Sequence, residues 1–178
     1  MTQAQLGNVR EGLGHVYDAY RTASMNQKYY RYMISKMQRR NLIFEVVVAI
    51  GTMGAGVSGW ALWKTEIGTA LWAIIAAVAA LLAIAKPIVN YSRKIERFSK
   101  LYAGYTDIFH RAKELKESIE YEQELAPKHL VSYKELPGLF RELGVTEEDP
   151  PKKKLLRKCQ DEVNREMPAK SFWMPQSV

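Results

Sequence analysis

Two long apolar stretches stand out against an otherwise polar chain. Leu42–Trp63 carries one charge, Glu45, near its start, and Thr69–Ala85 carries none. About 20 apolar residues at 1.5 Å each cross about 30 Å of hydrocarbon. The first stretch meets that length outright. The second meets it when Lys86 snorkels and Pro87–Val89 join the same helix. The pattern therefore predicts two transmembrane helices, 42–63 and 69–89, joined by the short link Lys64–Gly68. The alternative, a helical hairpin buried in a soluble core, would need apolar cover on all sides, and the rest of the chain is too polar to supply it.

The flanking segments carry helical periodicity instead. Val9–Asn41 contains no proline and reads as one long helix, weakened at its start by Gly12 and Gly14. Its tyrosines (Tyr17, Tyr20, Tyr29, Tyr30, Tyr32) alternate with Arg and Lys, a mixture that reads mainly as packing positions. After the second span, Phe98, Leu101, Tyr105, Ile108, Ala112, Leu115 and Ile119 recur at intervals of three and four, the seam of a coiled coil or helical bundle. No proline interrupts Val89–Leu125, so span two and this seam are expected to form nearly one continuous helix, about 85 Å long, kinked at Pro87. Pro127 is expected to end it. Ser132–Glu135 then matches a capping box opening a short helix towards Leu143, and Pro151 starts a last helix with Leu155, Cys159 and Val163 on one side. The chain thus divides into an N-terminal cytosolic helix (1–41), the membrane hairpin (42–89), a cytosolic extension (90–125) and a C-terminal helical region and tail (126–178). The fold class expected is all-α: an integral membrane helical hairpin with long cytosolic helices forming a bundle or coiled coil.

Charge sets the orientation. The net charge is +7: Arg21, Lys28, Arg31, Lys36, Arg39 and Arg40 precede the first apolar stretch, and Lys86, Arg93, Lys94, Arg97 and Lys100 come after the second, Thr69–Ala85. The link offers only Lys64, offset by Glu66. Both termini are expected in the cytoplasm, with Trp60, Trp63 and Trp72 at the outer interface. A cleaved signal peptide is not expected, because Met1–Lys36 is polar and charged. Lys152–Lys154 with Arg157 and Lys158 form a basic face, read as solvated more readily than as a lipid or nucleic-acid contact.

Within the spans, Gly51, Ala55 and Gly59 recur every four residues, and so do Ala73 and Ala77. Small residues at that spacing let helix backbones approach closely in lipid. They either close the hairpin on itself or join neighbouring copies, and their presence on more than one face favours a homo-oligomer. Glu45 sits about one turn inside the membrane and either pairs with Lys86, at similar depth, or lines a pore mouth.

Chemistry is sparse. One cysteine and three histidines leave no disulfide framework and no strong zinc spacing, so neither a metal nor another cofactor is expected. His15 with Asp18, and Asp107 with His110, share helical faces without a nucleophile beside them, so enzyme activity is not expected.

The order of elements resembles the SLATT family of bacterial two-transmembrane effectors. The likeness rests on NQKYYRYMISKMQRRN (Asn26–Asn41), the glycine-rich span, the tiny link, the alanine-rich span and KPIVNYSRKIERFSKLYAGYTDIFHRAKEL (Lys86–Leu115). It extends over most of the chain from about Tyr20, and the segment after Pro127 does not select a subgroup. The resemblance implies an anti-phage effector of the inner membrane that oligomerises, forms a pore or disrupts the bilayer, and causes growth arrest or death. It further implies a trigger that is either a cytosolic nucleotide signal or a partner protein from a nucleotidyltransferase, SLOG or reverse-transcriptase system. The alternative expectation is a non-pore membrane adaptor recruiting a cytosolic partner through the seam Phe98–Ile119. A third, direct nucleic-acid binding through Lys152–Lys158, is disfavoured.

Overall fold

The structure, a computed structural model, describes residues 3–53, 66–147 and 150–175. Among these the chain is all-helical, with no strand. Helix α1 runs Gln3–Met53, α2 Glu66–Val89, α3 Tyr91–Glu122, α4 Pro127–Thr146 and α5 Lys153–Glu166, followed by a 3-10 turn at Ala169–Ser171. Two compact units result: Met1–Tyr32 with Phe98–Val178, and Met33–Arg97. Both α1 and α3 contribute to each.

Helix α1 is one element of 51 residues, with no break at the expected boundary between Asn41 and Leu42. No proline occurs there, and Asn41 stays helical with its side-chain N–H donating to Glu45. The expected continuity of α2 and α3 fails. Asn90 adopts a left-handed φ of 42°, and its side-chain Oδ1 accepts the Arg93 N–H at 3.2 Å. An asparagine tolerates that backbone and satisfies an orphan donor of the next helix. The interruption is at Asn90, and Pro87 remains inside α2.

Pro127 also behaves differently from expectation. Helix α3 stops at Glu122, where Gln123 has φ 52°. Pro127 then opens α4 at its first position, where its missing N–H costs nothing. The cap is not the Ser132 box. The Ala126 N–H donates to His129 Nδ1 at 3.1 Å and the His129 N–H donates to Ala126 O at 3.0 Å. Ser132 lies within the helix and bonds back to Lys128 O at 3.4 Å.

The first unit is a bundle built around the amino-terminal half of α1. Leu13, Val16, Tyr17, Tyr20 and Ala23 form its buried stripe, and α3 answers with every seam residue expected: Phe98, Leu101, Tyr105, Ile108, Ala112, Leu115 and Ile119 are all buried. The helices run antiparallel, with Tyr30 against Phe98 and Tyr20 stacked on Phe109 at 5.0 Å. Gly104 permits α4 to approach, since a Cβ there would lie 2.5 Å from a Leu143 methyl. Cys159 and Val163 seal α5 onto the bundle. The apolar tail docks on α1. Phe172 stacks on Tyr17 at 4.2 Å, and the Tyr17 hydroxyl donates to Trp173 O at 2.7 Å.

In the second unit, Phe44 meets Tyr91 edge to face at 5.9 Å. Ala79 is buried and Ile75 and Leu82 are half-buried on α2. Among the described residues, no helix is long and apolar enough to cross a membrane. Residues 54–63, the later part of the expected first span, lie outside them.

Burial predicts where the first unit is fragile. Ile108→Ala, at a site 1% exposed, should destabilise it by about 2–5 kcal/mol. Tyr121→Ala, at a site 91% exposed, should change stability by less than about 0.5 kcal/mol. Urea unfolding followed by circular dichroism reads both.

Candidate functional site

The second unit turns its large apolar side chains outward. On α1, Leu42, Ile43, Val46 and Ile50 are exposed, and on α2 so are Ile74, Val78, Leu81 and Ile84. Leu81 and Ile84 reach 68% and 67%. Exposed apolar side chains in such number mark a surface for lipid or for another protein. The packing residues Ala73 and Ala77 are exposed with it, so they do not close this hairpin; Ala79 occupies the buried position. Ala55 and Gly59 lie outside the described residues, as do the packing around Gly51 and the side chain of Lys86. Trp60, Trp63 and the side chain of Trp72 lie outside them too. Glu45 is exposed and its Oε1 accepts the Asn41 side-chain N–H at 3.0 Å. A Glu45–Lys86 pair therefore falls outside the description.

The first unit carries a different arrangement, which the sequence does not single out. The phenols of Tyr30 and Tyr105 converge on one carboxylate oxygen, Oε1 of Glu147. The Tyr105 hydroxyl donates to it at 3.1 Å, and the two rings stack 6° from parallel at 5.6 Å. Both tyrosines are held above the ordinary phenol range, by burial and by the Glu147 carboxylate. Beyond Glu147 the chain returns at Lys152, whose N–H donates to the Tyr29 hydroxyl at 3.0 Å. Tyrosines of α1 and α3 thus pin both ends of the α4–α5 connection. Tyr17 is pushed up to about 12, by burial and then by Glu120.

The paired acids and histidines have the following neighbours. Asp107 pairs with Arg111 at 2.9 Å, and His15 lies 3.9 Å from Glu11. Buried His129 contacts Ser118 Oγ at 3.1 Å, superficially a nucleophile and its base. Yet Nδ1 of His129 accepts the Ala126 N–H, so Nε2 carries the proton and faces the serine as a donor. A general base needs that nitrogen bare. This contact bridges α3 to α4.

A groove of about 360 Å³ opens beside it, lined by Arg111, Ser118, Lys128, His129, Ser132 and Glu135. Its cations already have acidic partners: Arg111 has Asp107 and Glu135, and Lys128 has Glu122, whose carboxyl Lys128 holds below the usual range. Among the described residues no cluster of three metal-ligating side chains occurs. Cys159 is fully buried, and burial raises its thiol. On α5, Lys153, Lys154 and Arg157 are exposed as expected. Lys158 also covers the Tyr32 ring at 4.3 Å, and Lys28 meets Glu166 at 2.8 Å.

The tyrosine pair gives a measurable coupling. Tyr30→Phe and Glu147→Ala should each destabilise the first unit by about 1.5–3 kcal/mol, the range for hydrogen bonds to a charged group. The double variant should lose less than the sum. The raised phenols add a pH dependence. Their stabilisation is complete below pH about 10, where unfolded tyrosine ionises. It is lost as pH rises through the folded values, with Tyr17 at about 12. Thermal melts between neutral and strongly alkaline pH, read with tyrosinate absorbance, check this. Unfolding that begins well below pH about 10 would contradict it.

No family model, curated protein or solved structure matches the chain.

Proposed function

We propose that the protein is a membrane effector of the SLATT type, acting in a bacterial anti-phage system. In this reading the second unit lies in the inner membrane with both termini cytoplasmic. It self-associates and either forms a pore or disrupts the bilayer, leading to growth arrest or death. The first unit is the cytosolic module through which a nucleotide signal or a partner protein would act.

The supporting observation is the outward apolar face of Leu42, Ile43, Val46, Ile50, Ile74, Val78, Leu81 and Ile84. Fully burying such a side chain is worth about 1.5–3 kcal/mol, so eight exposed ones favour an apolar medium. The run Ala73–Ala85, described with its side chains, rises only about 20 Å. The whole of α2 has 24 residues and rises about 36 Å, against about 30 Å of hydrocarbon. The exposed Ala73 and Ala77 leave a small-residue face for a neighbouring copy. Glu45, exposed one turn above Asn41, is the candidate gating or pore-mouth acid.

The adaptor alternative loses its expected surface. Phe98, Leu101, Tyr105, Ile108, Leu115 and Ile119 are buried within the first unit, so that seam cannot also hold a partner without unfolding it.

Controlled expression tests the proposal. The wild type should stay with membranes through an alkaline wash and depolarise cells soon after induction. An aspartate at the centre of a span costs about 3 kcal/mol, so Leu81→Asp should lose membrane retention and depolarisation together. Retention unchanged in Leu81→Asp would remove this face from lipid. Glu45→Gln should remain in the membrane and alter the rate of depolarisation.

A further inference from the structure

The second unit has a charged end as well as an apolar face. Lys36, Arg39 and Arg40 on α1 and Arg93 and Lys94 on α3 are all exposed. The Phe44–Tyr91 contact sets the two helices at a common level. Because α1 and α3 run antiparallel, Arg40, four residues before Phe44, and Lys94, three after Tyr91, lie on the same side of it. They are about 6 Å and about 4.5 Å beyond the ring contact, at 1.5 Å per residue. The exposed Val46 and Ile50 follow Phe44 on α1, on the other side.

We infer that Lys36, Arg39, Arg40, Arg93 and Lys94 form a collar that binds anionic phospholipid headgroups. The inference rests on the membrane reading above and adds a lipid class to it. Three features of the structure support it. The five cations adjoin the apolar face directly, so acyl chains and headgroup phosphates can be met by one surface. Tyr91 marks the boundary between the two, where an aromatic with a polar tip is at home. Acids are fewer: Glu45, whose carboxylate accepts from Asn41, and Glu96. Long cationic side chains also reach laterally to several headgroups, with arginine gripping phosphate through paired N–H groups.

The test uses the full chain, purified in detergent and offered to two kinds of vesicle. One is phosphatidylcholine alone, and the other is phosphatidylcholine mixed with phosphatidylglycerol. Flotation after an alkaline wash reports insertion, and the ratio of the two lipids retained by the re-extracted protein reports headgroup choice. Phosphatidylglycerol should be enriched at low salt, with the enrichment falling as salt rises. Changing the five cations to glutamine should abolish it, at about fivefold per cation removed near the surface. The set Arg39→Lys, Arg40→Lys and Arg93→Lys should keep most of it. Insertion without enrichment would overturn the collar and leave the membrane reading standing. Failure to insert into either vesicle would overturn both. Loss of enrichment on adding inorganic phosphate at constant ionic strength would identify a site for the free anion and overturn the lipid assignment.

Discussion

The antiparallel packing of α1 on α3 is the constraint that the rest of the first unit obeys. Its rings are large and carry hydroxyls: Tyr17, Tyr20, Tyr29 and Tyr30 from α1, and Tyr105 from α3, are all buried. A buried phenol gains from its ring and loses unless its hydroxyl finds a partner. The Tyr17 hydroxyl uses the carbonyl of Trp173, Tyr29 accepts the N–H of Lys152, and Tyr30 and Tyr105 share Glu147. Every one of these partners belongs to a connection or to the tail. Satisfying the core hydroxyls therefore fixes the path of segments that have little periodicity of their own.

The same helices change character in the second unit. In α3 the buried seam begins at Phe98, while Arg93 and Lys94 before it are exposed. In α1 the exposed residues pass from Arg39-Arg40 to Leu42-Ile43 with no interruption of the helix. Backbone hydrogen bonding is unaffected by that change, because an α-helix satisfies its own groups in water and in lipid alike. Only the side chains register the difference.

Helical periodicity explains what was legible in the sequence. The spacing from Phe98 to Ile119 identified the buried face of α3 completely, because a stripe at three and four residues is a property of one segment. Tyr17, Tyr20, Tyr29 and Tyr30 of α1 are packing residues as read and Cys159 is a core position, whereas Tyr32 is exposed and meets Glu162 and Lys158 at the surface. The errors lie where one residue type admits two local roles. Pro127 suits the position after a helix and the first position within one, and His129 in the following turn decided for the second. Between α2 and α3 the proline at 87 stays inside the helix, and Asn90, with its left-handed backbone, ends it. Glu147 carries no signal of its role in the sequence, because its partners, Tyr30 and Tyr105, are distant in the chain.

Ser118 and His129 show why residue identity alone misleads about chemistry. A serine beside a buried histidine, with Glu122 Oε2 3.6 Å away, contains the residue types of a hydrolase site. The order of protons is opposite to what hydrolysis needs. In a working triad the carboxylate accepts a hydrogen bond from the N–H of one ring nitrogen, which holds the other nitrogen bare and free to accept. Here a backbone N–H occupies Nδ1, which forces the proton onto the nitrogen facing the serine. The same bond caps α4 and so holds the ring in that tautomer. Freeing Nε2 would require moving the proton to Nδ1 and breaking the cap, so the fold of this corner works against the base role.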